Sequence, residues 1–326
     1  MPKFSIIIVS YKSQKDIDRN LSCLKEQTYQ NFETILIDNN SPENGVSKEQ
    51  AEKVNIFVQN QENIGFAKAN NQGSRLANGQ WLVLLNPDAF PNPNWLEEID
   101  KAINKYQDCE NFGCLQMLDG EPNMLDGAGD CFSIFGIAWR GGHRKPIPQN
   151  IEDGEVFASC GAASIWKKSR YEYLGGFEES YGSYYEDVDL GFRHRLEGGN
   201  CIQLANAIVS HKGSASSSRY SVYAVFHGVR NREIAYFRLM PSWLLVLTLP
   251  LHIFAIIALW FHALIRGAFL PYSRGIIAAF AKTYDALKQR KIIQERRKAS
   301  VFDILKIMSF SPFSLLRRAI IIRKIK

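Results

Sequence analysis

Six side chains in this sequence are of types that do chemistry and stand next to segments able to hold them still: Asp38, Asp88, Glu186, Asp187, Asp189 and His211. Asp38 opens the run Asp38-Asn39-Asn40-Ser41 behind one apolar segment, and Ser10-Tyr11 follows another. Adjacent strand ends of this kind would present a carboxylate, a hydroxyl and an aromatic ring together. The carboxylate can accept the imide N–H of uracil or thymine while the ring packs on the base; an Asp in an Asn/Ser-rich turn is also an ordinary turn former. Asp88 closes Asn86-Pro87-Asp88. It could hold a hard divalent cation against a diphosphate, because such ions take oxygen ligands and keep substrate phosphates in their shell; a simple proline turn is the alternative. Glu186, Asp187 and Asp189 fall at a helix start, where the helix dipole alone favours acids. Tyr184 and Tyr185 beside them would desolvate the acids and raise the pKa of at least one, as a general base requires. His211 ends a strand, and a lone histidine is more often structural than a ligand, a balance that a strand terminus shifts only modestly.

The elements that must position these residues alternate. Phe4 to Val9 is an unbroken apolar, β-branched run, which predicts a strand covered on both faces. Ser13 with Asp16 suggests a capping box, followed by Ile17, Leu21 and Leu24 at helical spacing. Thr34 to Ile37, Ile56 to Val58 and Trp81 to Leu85 predict further strands, the last stopped by Pro87 because proline cannot donate to a central ladder. Gly65 to Ala77 and Trp95 to Tyr106 predict helices. Periodicity weakens between Gly113 and Gly154, where loops and short strands are expected. Phe157 to Trp166 reads as a strand of small residues, Asp187 to Leu196 as a helix closed by Gly198-Gly199, and Cys201 to Leu204 with Ala207 to Val209 as two short strands delivering His211. Ser221 to Met240 reads as a long amphipathic helix. Alternating strands and helices imply a largely parallel sheet, and ligands in such sheets bind beyond the carboxyl ends of the strands.

The 326 residues, 46% of them apolar, suffice for a sizeable core and exclude general disorder. Charge is unevenly spread. Residues 266 to 326 hold fifteen Lys and Arg against Asp285, Glu295 and Asp303, a net +12 that leaves −6 on residues 1 to 265. Basic tails suit nucleic acid or an anionic membrane, and the neighbouring segment favours the membrane. Leu239 to Ile265 contains no Asp, Glu, Lys or Arg. A single span would carry the basic tail to the outer face, against the usual charge bias. Helices lying in the interface, or a hairpin re-emerging on the same side, are therefore expected; a buried core helix pair is the alternative. The N-terminus carries no signal-like pattern, and the six cysteines show no C-x-x-C spacing, so a reducing cytoplasm is expected.

Taken together, Ser5-Ile6-Ile7-Ile8-Val9-Ser10-Tyr11, Leu36-Ile37-Asp38-Asn39-Asn40-Ser41, Asn63-Ile64-Gly65-Phe66 with Asn70, Leu85-Asn86-Pro87-Asp88, Gly175-Gly176-Phe177-Glu178-Glu179 and Glu186-Asp187-Val188-Asp189-Leu190 resemble, in order and context, family 2 glycosyltransferases of the bacterial rhamnosyltransferase-like branch. The resemblance covers roughly residues 4 to 212. It implies an α/β fold of the GT-A (nucleotide-diphospho-sugar transferase) type, with a mostly parallel central sheet flanked by helices. Residues 1 to 220 would form the catalytic domain and 221 to 326 a helical, membrane-associating region. Ser10, Tyr11, Asp38, Asn63, Gly65, Asn70 and Asn86 are then implied on the donor side, with Asp38 at a UDP or dTDP base. Asp88 matches the last acid of the family's D-x-D motif, and His211 the histidine that completes the shell of a Mg²⁺ or Mn²⁺ ion. Asp187 matches the general base, with Glu186 and Asp189 as neighbouring candidate acids. Asn86 departs from the pattern at the first D-x-D position, which removes one negative charge from the ion site.

The reaction so implied is a single inverting displacement, moving a sugar, rhamnose being one choice, from a nucleotide-sugar donor to a saccharide hydroxyl. The acceptor would be polyprenyl-diphosphate-linked, at the cytoplasmic face of the plasma membrane, in O-antigen, capsule or cell-wall polysaccharide assembly. A sugar nucleotidyltransferase is the nearest enzymatic rival, although Ser10-Tyr11-Lys12-Ser13 lacks the glycine-rich loop such enzymes carry. A scaffold that has kept the fold and lost activity is the rival from another class.

Overall fold

A computed structural model describes residues 1–43, 45–213 and 221–325. The chain opens with β1 (Phe4–Ser10), α1 (Gln14–Lys25), β2 (Phe32–Asp38), the short α2 (Lys48–Ala51), β3 (Ile56–Gln59), α3 (Phe66–Leu76) and β4 (Trp81–Leu85). β1, β2, β3 and β4 pair in parallel in the order β4-β1-β2-β3. The chain therefore reverses its direction of travel across the sheet at β1, which brings the carboxyl ends of β1, β2 and β4 side by side at the kind of switch point where α/β sheets bind ligands. All seven residues of β1 and all five of β4 are buried, in keeping with their unbroken apolar runs. Gly73 lets α3 close on the sheet: a Cβ there would stand 2.5 Å from Ile7 Cγ2.

Beyond β4 come β5 (Ala89–Pro91), α4 (Trp95–Lys105), β6 (Asn111–Leu118), β7 (Glu121–Gly127), β8 (Asp130–Phe132), β9 (Ala138–Arg140), β10 (Lys145–Pro146), β11 (Gly154–Val156), β12 (Ala163–Lys167), α5 (Lys168–Tyr173), a 3-10 turn at Glu179–Tyr181, α6 (Glu186–Leu196) and β13 (Cys201–His211). β12 runs antiparallel between β4 and β6, and β13 runs parallel to β6 and antiparallel to β5. The sheet is thus mixed beyond β4. Several local expectations are corrected here. Residues 113 to 154 contain most of the long, wholly buried β6 as well as short strands. The span Phe157 to Trp166 is only half strand, because residues 157–162 leave the ladder and turn toward the candidate site. The two strands expected before His211 are one, with a register shift between Leu204 and Ile208. Ser13 forms no capping box, its hydroxyl bonding the Tyr11 carbonyl at 3.1 Å instead.

The chain ends with α7 (Val222–Leu239), α8 (Ser242–Ile265), α9 (Phe269–Glu295), α10 (Val301–Ile307) and α11 (Pro312–Leu316). The expected boundary at residues 220/221 has its first side outside the described residues. Around it the packing is continuous: Phe132, Phe157, Tyr181 and Phe192 share one core with Ile234, Tyr236, Ala279 and Ile304. The extreme C-terminus returns to the sheet, where Arg323 bridges Glu155. α8 is the one helix among the described residues long and apolar enough to cross a membrane. It rests one stripe, Leu244, Thr248, His252 and Ala263, against the protein and leaves Trp243, Leu247, Phe254 and Phe261 exposed.

Candidate active site

β1 and β2 end in register, Ser10 opposite Asp38. Both are completely buried. The Asp38 carboxylate accepts from Ser41 N–H at 3.1 Å, Ser41 Oγ at 2.7 Å and Val46 N–H at 3.3 Å, so its own loop wraps it. Ser10 Oγ has no partner, a polar atom left over at the strand end. Tyr11 is half-exposed beside it. Asn39 and Asn63 tie the β2 and β3 loops together through Asn39 Nδ2 to Asn63 Oδ1 at 2.9 Å, and Asn63 Oδ1 also accepts from Gly65 N–H at 3.0 Å. Gly65 has φ +86°, with Gly182 Cα 3.1 Å from where its Cβ would be; only glycine suits that backbone and that contact. Asn70 turns back onto its own helix, donating to the Phe66 carbonyl at 3.0 Å.

At the end of β4, Asn20 of α1 donates to the carbonyls of Asn86, at 3.1 Å, and Ala89, at 2.6 Å, which fixes the Asn86-Pro87-Asp88 turn. His211 lies opposite Ala89 in the β13–β5 ladder and so beside Asp88. Its Nε2 is 3.3 Å from Asp88 Oδ1 and 3.5 Å from Asn86 Nδ2. Asn86 Oδ1 is buried without a partner. A carboxylate, an imidazole nitrogen and an unused amide oxygen are a donor set suited to Mg²⁺ or Mn²⁺. Burial pulls the His211 imidazole down, but hydrogen bonds to Asp126 and Asp88 outweigh it and raise its pKa to about 9.

Asp187 lies one residue into α6, whose preceding residue Tyr185 has left-handed backbone, φ +72° and ψ −4°. The Tyr185 hydroxyl accepts from Ala138 N–H at 3.1 Å. Asp187 Oδ2 accepts from Gly161 N–H at 2.8 Å, and a Cβ on Gly161 would sit 3.3 Å from it. The next residue, Ala162, accepts from Asn86 N–H at 2.9 Å. One three-residue loop, 160–162, therefore holds the turn of Asp88 on one side and Asp187 on the other. Burial, and then the charge of Asp187, drives the Glu186 carboxyl well above the usual range. Asp189 is different: Arg193 Nε at 2.6 Å and Arg238 enclose it, and against the cost of burial they hold it ionised, below the usual range.

Four residues of this region are not among the candidates that the sequence singles out. Asp130, Cys160 and Asp187 have donor atoms all within 4.8 Å of one another. Arg140 supplies the balancing charge; burial would lower its pKa, but Asp126, Cys160, Asp130 and Asp187 raise it. Burial, then Asp187, pushes the Asp130 carboxyl well above the usual range. Asp126, completely buried, pairs with both Arg140 and His211 and thereby connects the His211 side to the Asp187 side. Only the acid-glycine spacing of Asp126-Gly127-Ala128-Gly129-Asp130 hinted at two such residues.

Residues 5–121 match glycosyl transferase family 2. Over 228 residues the chain is 29% identical to the O-antigen biosynthesis protein RfbC of Myxococcus xanthus, 66% of this chain but only 18% of that protein. It is 23% identical to the N-acetylglucosaminyl-diphospho-decaprenol L-rhamnosyltransferase of Mycobacterium tuberculosis, with 66% of this chain and 77% of that one aligned. The chain spans 34% and 33% of two Haemophilus influenzae relatives described as glycosyltransferases. Among solved structures, GalNAc-T7 with UDP, GalNAc and Mn²⁺ superposes with a TM-score of 0.57 at 18% identity, over 72% of this chain and 48% of that one, which is a likeness of fold. The match to glycosyl transferase family 2 over residues 5–121 thus lies within a mixed α/β fold of the GT-A type.

Proposed function

We propose that this chain is an inverting glycosyltransferase that moves a sugar from a nucleoside-diphosphate donor to a hydroxyl of a lipid-linked saccharide at a membrane surface. The observation that carries the reading is the shared 160–162 loop, which sets Asp88 with His211 and Asn86 on one side and Asp187 on the other. Ser10, Tyr11, Asp38, Asn63, Gly65 and Asn70 line the donor side, where the unpartnered Ser10 hydroxyl has hydrogen-bonding capacity to offer. Asp88, His211 and Asn86 would hold Mg²⁺ or Mn²⁺, which when bound supplies positive charge to a departing diphosphate. Asp187 removes the acceptor's hydroxyl proton as the new bond to the anomeric carbon forms and the bond to the diphosphate oxygen breaks. Attack from the opposite face inverts that carbon. The backbone N–H groups of Gly161 and Val188, at 2.8 Å each, hold the Asp187 carboxylate in place for this.

The Mycobacterium relative's name specifies a decaprenyl-diphosphate acceptor and rhamnose. That makes a polyprenyl-diphosphate-linked saccharide and dTDP-rhamnose the first pair to try. Membrane attachment is supported by α8. Its packed stripe runs from Leu244 to Ala263, about 28 Å at 1.5 Å per residue. A helix clasped to a polar body over that length lies along the membrane surface and does not cross it alone, with Trp243, Leu247, Phe254 and Phe261 toward lipid.

The test is turnover of UDP-, dTDP- and GDP-sugars with Mg²⁺ or Mn²⁺, read as free nucleoside diphosphate. Asp187→Asn is expected to lower the rate by about 10²- to 10⁴-fold with donor binding retained. Release of pyrophosphate would mean nucleotidyl transfer, and no turnover with any donor and acceptor would leave a scaffold.

A further inference from the structure

His211 has two ring nitrogens, and the structure commits them differently. Nε2 faces Asp88 and Asn86. Nδ1 lies 2.8 Å from Asp126 Oδ2. Asp126 reaches it from two strands away, across β6. The ladder of β6 with β7 pairs Gln116 with Gly127 and Met117 with Leu125, so Asp126 is an extra residue in its strand, a β-bulge. Bulges re-aim side chains next to working sites. This one turns a carboxylate that pairs with no residue of β6 toward the end of β13. The carboxylate is fixed from behind by Arg140, while His143 Nδ1 lies 2.9 Å from the Asp126 backbone carbonyl. Gly213 leaves the space beside it, since a Cβ there would approach Oδ1 to 3.3 Å.

We infer that Asp126 is a positioning residue for the ion site, orienting the His211 imidazole through Nδ1 so that Nε2 faces the ion's place beside Asp88. The inference rests on the proposed role of Asp88 and His211 as ion ligands. The physical reason is general: a ligating histidine gains tautomer, orientation and basicity from an acceptor on its other nitrogen, and loss of that acceptor typically weakens metal binding about 10- to 100-fold. The bulge gives this acceptor a position that an unbroken β7 would not.

The experiment uses the full chain and Mn²⁺ alone, with free Mn²⁺ followed by electron paramagnetic resonance. Asp126→Asn is expected to weaken Mn²⁺ binding about 10- to 100-fold. His143→Gln removes another bond to Asp126 but leaves His211 untouched, and is expected to bind as the wild type does. In the Mg²⁺-saturated wild type, long-range ¹H–¹⁵N spectra are expected to show the His211 proton on Nδ1 and none on Nε2. A wild-type chain that takes up no Mn²⁺ removes the ion-site reading and this inference together. Normal wild-type binding with Asp126→Asn equally tight, or with His143→Gln as weak as Asp126→Asn, overturns this inference alone. Should Asp126→Asn fail to fold, the wild-type spectrum decides, and a proton on Nε2 overturns the assignment.

Discussion

His194 illustrates what a buried ring does when it has no acid beside it. Its Nδ1 accepts from Arg170 Nε at 2.9 Å, its Nε2 is 2.9 Å from the Asn200 carbonyl, and Trp166 packs edge-on at 5.3 Å. Burial, helped by Arg170 and Arg195, lowers its pKa from 6.5 to about 3. Between those two values the unfolded chain binds a proton on this ring that the folded chain does not, so stability present above pH 6.5 is lost as pH falls toward 3. Urea midpoints measured from pH 7 to pH 4 are expected to fall for the wild type, and to fall less steeply for His194→Phe. The residues proposed for chemistry divide the same way into legible and hidden. Asp38, Asp88, Asp187 and His211 follow strands or open a helix, and the alternation of elements is enough to pick them out. Asp126, Asp130, Arg140 and Cys160 were hidden because a bulge, two short strands and a departure from the ladder bring them in, and none of these leaves a period in the sequence.

Among the elements, α3 and α6 depend on backbone that few residues adopt. Gly65 precedes α3 at φ +86° and ψ 158°, and Ala67 N–H donates to the Gly182 carbonyl at 3.0 Å, just ahead of the Tyr184-Tyr185 turn into α6. Gly65→Ala adds both a disfavoured backbone and a contact with Gly182. It is expected to cost about 1–3 kcal/mol in thermal or urea unfolding and to lower turnover as well, because the displaced loop leads directly to Asp187. A substitution of similar size at exposed Lys68 is expected to do neither. β1 to β4 and α3 were legible because their apolar runs and small-residue face have few competing explanations. β6 was not, because its eight buried residues include Asn111, Gly113 and Gln116, which blur the apolar pattern that the mixed sheet nonetheless buries.

For the whole molecule, the proposed attachment to an anionic bilayer would draw on the uneven charge and the exposed side of α8. Co-sedimentation with vesicles containing phosphatidylglycerol is expected to exceed that with phosphatidylcholine alone, and to weaken with salt because headgroup attraction acts over about a Debye length. Replacing Trp243, Phe254 and Phe261 together by Ser is expected to release the chain from both kinds of vesicle without lowering its melting temperature. The apolar, uncharged stretch was plain in the sequence; its one-sided packing was not, since it depends on Thr248 and His252 finding Tyr236 and Glu233 on α7. That packing also touches the half that carries the proposed site. His252 lies 2.7 Å from the Phe135 carbonyl, and the same loop reaches Tyr185 through Ala138. If α8 lies in the membrane as proposed, a helix bolted in this way would act as a gauge block: it would fix the height of the proposed site above the headgroups, so that the length of the glycan already built on its anchor, as much as the identity of its last sugar, would decide which acceptors reach Asp187.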